Sequence, residues 1–216
     1  SVIEPEKDQL PGANRNWLTT NRFVDVSNSS EGISLTSEDA PLIEIGGITA
    51  NLMGGGYQSA DWIKYLPPTQ TVESWALNNV WYTNYLAEQS GKLVFRYRLY
   101  PHKDFNETEV RERGTDATEP LIVESSSKPA TPSLCRIIGN GVVATCLKPA
   151  DDGSGFILRL WGASSTDHTI ELKWRNNADI SVWKSNLAED KMALLSANDI
   201  AVPGHGEVTL RIEVKK

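Results

Sequence analysis

Two runs near the C-terminus constrain this chain most. In HTIELKW, Ile170, Leu172 and Trp174 alternate with Thr169, Glu171 and Lys173. In EVTLRIEV, Val208, Leu210, Ile212 and Val214 alternate with Glu207, Thr209, Arg211 and Glu213. Apolar residues at every second position line one face of a strand and cannot form the stripe of an amphipathic helix. GFILRLW, DISVWKSN and a short NDIAVP lie around them, separated by turn residues. LCRIIGNGVVATCL reads as a hairpin about Asn140-Gly141, a dipeptide that tolerates the positive φ of a type I′ turn. Seven short strands with no strong helix predict an antiparallel β-sandwich over residues 133–216. The absence of a fixed-period repeat argues against a propeller or solenoid.

The first half is β-like but less regular. RFVDVSN, GISLTS and PLIEIGG are strand candidates. In KLVFRYRLYPH, Leu93, Phe95, Tyr97 and Leu99 are expected to share one face, with Arg96 and Arg98 opposite. The first eighteen residues read as an extended entry segment. Residues 51–91 are irregular, with Gly54, Gly55 and Gly56 followed by a stretch dense in Trp, Tyr and Asn. After Asp104 the chain turns charged and then rich in Ser, Thr and Pro, interrupted by PLIVE as a short strand. NETEVRERG has an alternative reading as a short helix capped by Thr108. The fold class is all-β, in three parts: a β region over 1–118, a linker over 119–132 and the small sandwich over 133–216.

Composition narrows the partner classes. A net charge of −7 on 216 residues argues against a general nucleic-acid binder, which needs a basic face. No run approaches the 18 apolar residues of a membrane span. The chemistry-bearing residues are sparse. His102, His168 and His205 lie at a strand end and in two turns, and no G-x-S-x-G elbow is present, so no catalytic residue is assigned. His102-Lys103-Asp104 is an H-x-D triplet, but a solvated loop is the favoured reading, and no metal is assigned. Asp151-Asp152-Gly153-Ser154-Gly155 lacks the closing Glu of an EF-hand loop and reads as a plain turn. In the Asn140-Gly141 hairpin Cys135 would face Cys146, close enough for a disulfide; reduced thiols are favoured, with a structural role in either state.

One aromatic cluster stands apart. Trp75, Asn78, Asn79, Trp81, Tyr82, Asn84 and Tyr85 interleave flat rings with carboxamides. Rings stack on apolar sugar faces and Asn both donates to and accepts from hydroxyls, so Trp75, Asn79, Trp81, Asn84 and Tyr85 are the candidate sugar-binding residues. The competing reading packs the Trp rings inward, with Asn satisfying loop backbone.

Three segments carry a family resemblance. Val24-Asp25-Val26-Ser27-Asn28 with Gly32-Ile33-Ser34-Leu35, then Asn78 to Tyr85, then Phe95 to His102, resemble in this order the C-terminal β region of glycoside hydrolase family 38, the α-mannosidases. Cys146 to Trp161 (CLKPADDGSGFILRLW) is similar to that family's final small β-sandwich. The resemblance implies the end of a galactose-mutarotase-like super-sandwich followed by a smaller sandwich. It also implies a parent that is a retaining, zinc-dependent α-mannosidase, with zinc and nucleophile on an N-terminal α/β domain absent from this sequence. No catalytic residue carries over, and His102-Lys103-Asp104 is not the family's zinc motif. A chain that starts at Ser1 reads as a piece of something longer, whose main partner is that catalytic domain. An autonomous carbohydrate-binding module and an interaction domain are the alternatives. Compartment stays open: Asn28-Ser29-Ser30 and Asn106-Glu107-Thr108 are sequons that matter only in a eukaryotic secretory route.

Overall fold

The computed structural model describes residues 2–49, 62–77, 86, 88–127, 129 and 131–215. The chain is mostly β and divides into two compact units, Val2–Leu121 and Ile122–Lys216. Among the described residues no helix is long and apolar enough to cross a membrane.

The second unit is a sandwich of two sheets. β7 (Cys135–Ile138), β10 (His168–Trp174) and β13 (Ile200–Val202) form one, in the order β13-β10-β7. β8 (Val142–Pro149), β9 (Phe156–Gly162), β11 (Ile180–Ser185), β12 (Lys191–Leu195) and β14 (Glu207–Val214) form the other, in the order β12-β11-β14-β9-β8. All the pairings are antiparallel. The alternation read in the sequence fills the space between them. Leu158, Leu160, Val182, Leu210 and Ile212 on one sheet meet Ile170, Leu172, Trp174, Ile200 and Val202 on the other in a single core. Burial of this apolar surface, roughly 25 cal/mol per Å², is the main favourable contribution to the unit's stability.

Asn140-Gly141 does not close a hairpin. β7 pairs with β10, bringing Cys135 opposite Trp174, while β8 pairs with β9, bringing Cys146 opposite Arg159. The turn is a corner that carries the chain from one layer to the other. Gly139 and Gly141 both have positive φ, and Ala163 N–H donates to Gly141 C=O across the corner at 2.7 Å. The two cysteines therefore do not face one another; both are free thiols, and burial pushes the Cys135 thiol up. β12 was not among the expected strands. KMALL has weak β propensity and forms a strand by adding to the edge of β11, with Leu194 opposite Trp183.

Among its described residues the first unit holds two three-stranded sheets. β1 (Leu18–Thr19), β4 (Leu42–Ile45) and β5 (Val72–Ser74) run in the order β1-β4-β5. β2 (Val24–Ser27), β3 (Gly32–Ser37) and β6 (Tyr97–His102) run in the order β2-β3-β6. The all-β expectation is corrected by helix α2 (Glu107–Thr118), the alternative reading of that segment, and by a short helix α1 (Pro5–Asp8). Asn106 rather than Thr108 caps α2, its side-chain oxygen accepting from Glu109 N–H at 3.2 Å. Glu107 and Glu109 sit in the first turn, where the helix dipole favours them, and pair with Arg111 and Arg113 one turn on. Pro120 stands just beyond the cap Glu119, where the helix has ended.

Three further expectations change. The strand in KLVFRYRLYPH begins only at Tyr97, and its apolar face, with Leu99 at 64% exposure, points outward. Inward turn Tyr100 and His102, because α2 covers that side: Tyr100 Oη donates to Glu109 Oε1 at 2.6 Å, and the Arg113 guanidinium lies 3.9 Å from the Tyr100 ring centre. PLIVE forms no strand; Leu121, Ile122 and Val123 are exposed. The entry segment is partly folded in, with Arg15 and Asn16 buried.

Candidate functional site

Of the five candidate sugar-binding residues, Trp75 alone is described; Asn79, Trp81, Asn84 and Tyr85 lie outside the described residues, as do Asn78 and Tyr82. Trp75 directly follows β5, and its N–H donates to Leu42 C=O at 2.9 Å, continuing the β4–β5 ladder. Trp17, directly before β1, meets it edge to face, with ring centres 5.5 Å apart and planes at 76°. Both rings are half-buried. Edge-to-face contact suits the ring quadrupoles and holds the outer strands of this sheet together across β4.

Beside this pair lies a polar cluster. The Glu44 side chain is buried and accepts from Thr49 N–H at 2.5 Å. Asn16 Nδ2 donates to Thr49 Oγ1 at 3.0 Å, and Asn16 Oδ1 accepts from Ile63 N–H at 3.0 Å. Arg15 Nη2 donates to Pro5 C=O at 2.9 Å, tying α1 down. These buried groups have their partners, as burial demands. They fasten the entry segment to β4. The one sequence signal for them was a lone Glu in the apolar run LIEI.

His102 is held differently. Its side chain is 5% exposed and its Nε2 lies 2.7 Å from Asp25 Oδ2. Asp25 also accepts from Ser34 Oγ and, at 2.6 Å through Oδ1, from Ser27 Oγ. The ring thus reaches from β6 across β3 to β2. Gly32 makes the crossing possible: a Cβ there would stand 2.4 Å from Ser27 Cβ and 2.5 Å from His102 Cε1. Serine, histidine and aspartate meet here, but both Ser34 and His102 are spent on Asp25. A nucleophile needs its base beside it, and this arrangement has the acid between them. The H-x-D triplet does not converge either, since Asp104 is exposed while His102 is buried.

In the second unit Ser164 Oγ lies 2.8 Å from His168 Nε2. That imidazole is packed tightly over Gly141, where a Cβ would stand 2.0 Å from His168 Cε1, and Ser164 also meets Thr166 Oγ1 at 3.2 Å. The contact ties the β9–β10 loop to the corner before β8. His205, at φ 50°, stacks on Trp161 with planes 14° apart. Among the described residues no group of three or more His, Cys, Asp or Glu is placed to hold a metal ion. The described residues therefore do not fit a zinc centre.

The Asp151–Gly155 turn is a structural clasp. Asp152 pairs with Arg211 and accepts from Ser154 N–H at 2.9 Å, while Lys148 Nζ bridges Asp151 and Glu189, each at 2.5 Å. Arg211 Nη1 also donates to Glu189 C=O at 3.2 Å. Arg211, with help from Ser154, holds the Asp152 carboxyl at about 2, below its ordinary 3.8. A depressed carboxylate pKa contributes stability that is fully present above about pH 4 and is lost as pH falls through about 2. Asp152→Asn should therefore be less stable than the parent chain at neutral pH. The gap should close between about pH 4 and pH 2 in acid unfolding followed by circular dichroism. A gap that stays constant over this range contradicts the assignment.

Comparison with known proteins adds the following. Residues 141–216 match the family described as glycosyl hydrolases family 38 C-terminal beta sandwich domain. Among solved structures the chain is similar to an alpha-mannosidase from Enterococcus faecalis V583, with TM-score 0.60 and 14% identity over 91% of this chain and 21% of that one. It is also similar to a glycosyl hydrolase family 38 protein from Enterococcus faecalis, with TM-score 0.59 and 14% identity over 91% of this chain and 22% of that one. At this identity the likeness concerns the fold. The chain spans about a fifth of the length of these solved chains. A comparison with curated proteins finds no match.

Proposed function

We propose that this chain, whose residues 141–216 form a C-terminal β-sandwich domain of glycosyl hydrolase family 38, is the non-catalytic C-terminal β part of an α-mannosidase-like glycoside hydrolase. In this reading the first unit is a portion of a galactose-mutarotase-like super-sandwich. Both units scaffold the catalytic domain and shape the walls of its sugar cleft. Retaining hydrolysis of α-mannosides, with its zinc, belongs to residues outside this chain. The family match carries the reading, and the fold likeness over 91% of the chain supports extending it to the first unit. The described side chains agree with it: Asp25, Glu44 and Asp152 and the imidazoles of His102 and His168 bind strands and loops to one another. Glycoside hydrolysis needs an acid and a second carboxylate flanking one bond, both free to meet substrate.

The test is incubation of the purified chain with an aryl α-mannoside, with and without added zinc. The expected rate is that of buffer in both cases. Turnover above buffer that disappears in His102→Ala, and equally in a His102→Gln variant shown to be folded, would place chemistry on this chain and overturn the reading. Calorimetric titration with mannobiose separates the carbohydrate-binding module. Binding by the wild-type chain that is lost in Trp75→Ala would make it an autonomous sugar-binding unit.

A further inference from the structure

We propose that Asn140 is a self-modifying site: its side chain closes on the Gly141 nitrogen and reopens as isoaspartate, lengthening the main chain at the corner between the two sheets of the second unit. The inference stands apart from the hydrolase reading and concerns this unit alone. Asn140-Gly141 is the only Asn-Gly pair in the 216 residues. Glycine has no Cβ to hold its nitrogen away from the neighbouring carboxamide. Asn140 is exposed. Among the described residues neither its carboxamide nor the Gly141 N–H has a hydrogen-bond partner. Both reacting groups are therefore free to meet. Comparable pairs elsewhere are held. Asn28, exposed before Ser29, accepts through Oδ1 from Ser30 N–H at 2.8 Å, Ser30 Oγ at 2.9 Å and Glu31 N–H at 3.1 Å. The Asp152 carboxylate, before Gly153, pairs with Arg211 and accepts from Ser154 N–H.

The step balances with water alone. Hydroxide takes the Gly141 amide proton, and the nitrogen attacks Asn140 Cγ. The new N–Cγ bond forms as the Cγ–Nδ2 bond breaks, and ammonia leaves with a proton from water. One water then opens the cyclic imide. Attack at the main-chain carbonyl breaks its bond to nitrogen, so the chain now runs through Cβ and Cγ and the former carbonyl carbon becomes a free carboxylate. Nothing is oxidised or reduced. Loss of ammonia makes the change one-way, and it needs no partner, so it marks the age of each molecule. The corner has no slack for the added atom. β10 lies against both flanking glycines: a Cβ at Gly139 would stand 2.8 Å from Ile170 Cγ2, and one at Gly141 2.0 Å from His168 Cε1. Ala163 N–H holds Gly141 C=O at 2.7 Å. Lengthening between these anchors must displace Gly139 or Gly141 against β10, whose close packing cannot absorb it.

The experiment incubates the folded 216-residue chain in mildly alkaline buffer beside the same chain unfolded in guanidinium chloride. Peptide mass spectrometry with electron-transfer fragmentation follows isoaspartate at positions 28 and 140. Releasing the bonds that hold Asn28 should speed its conversion on unfolding by about tenfold or more. Asn140 has none to release, so its folded and unfolded rates should agree within about threefold. The isoaspartyl fraction from the folded chain should melt at least about 4 °C below freshly purified Asn140→Asp, which carries the same charge on an unlengthened main chain. Folding that protects Asn140 as strongly as it protects Asn28 overturns the proposal. An isoaspartyl fraction that melts together with Asn140→Asp overturns it as well, because the corner then accommodates the longer chain. Neither result depends on α-mannoside turnover.

Discussion

Leu160→Ala should destabilise the second unit by about 3–4 kcal/mol, the range of fully buried Leu→Ala substitutions in rigid cores. Leu160 is fully buried in β9, between Val208 of β14 and Ala144 of β8, within the core that joins the two sheets. Removing three carbons there loses their transfer energy and leaves a cavity, because the flanking strands are held by ladders on both sides and cannot collapse inward. For a unit of this size the midpoint should fall by roughly 12–32 °C in a thermal melt. Leu187→Ala, in the same unit, is the matched control. Leu187 is exposed, so its substitution should change stability by less than about 0.5 kcal/mol. Equal effects at the two positions would mean that this core is not where the unit's stability resides.

Gly162→Ala should cost about 3 kcal/mol, a large effect for one added methyl. A Cβ at Gly162 would stand 2.1 Å from Pro203 C=O and 3.3 Å from Gly204 Cα, both backbone. No rotamer change relieves such a contact; the Pro203–Gly206 turn must move away. That movement breaks the bond from Gly162 N–H to Gly206 C=O at 2.9 Å and the one from His205 N–H to Ser164 C=O at 2.8 Å. It also unstacks His205 from Trp161, so a change in near-ultraviolet circular dichroism should accompany the loss of stability. Gly153→Ala makes the comparison sharp. Gly153 has φ +72° but open space around its Cβ position, so only the left-handed backbone penalty of roughly 1 kcal/mol applies. Gly153→Ala costing as much as Gly162→Ala would contradict the backbone-contact account.

The strands that alternate cleanly were legible because their apolar positions face the core, although Thr209 and Arg211 on the other face of β14 are buried as well. Ile170, Leu172 and Trp174 in β10, and Val208, Leu210 and Ile212 in β14, are all buried. Pairing was less legible. Asn140-Gly141 is a sound hairpin signal, yet turn chemistry says how sharply a chain can reverse, and leaves open whether the flanking runs pair or separate into two layers. Here each run finds a longer partner elsewhere, β7 in β10 and β8 in β9. β12 was hidden by its composition, because a Met-Ala-Leu run carries no strand signal until β11 offers an edge.

The outward apolar face of β6 could not be read from its own residues. Alternation shows that two faces differ, and only the placement of α2 decides which is covered. The site divides in the same way. Trp75 was legible as an unusual ring, but its partner Trp17 comes from the far side of the sheet, in a segment read as an extended entry. The link from His102 to Asp25 spans 77 positions of sequence and depends on the β2-β3-β6 register, which no local pattern encodes. The resemblance of Cys146 to Trp161 reached further than periodicity, since residues 141–216 match the family 38 C-terminal beta sandwich domain.

In the proposed reading this chain supports glycoside hydrolysis without performing it. The most direct measurement places the complete gene product and the 216-residue chain side by side on an aryl α-mannoside, at equal molar concentration, with zinc added and then with zinc chelated. The account predicts zinc-dependent turnover by the complete product and none above buffer by the chain under either condition. Turnover by the chain alone, or a complete product inert on α-mannosides in the presence of zinc, would contradict it.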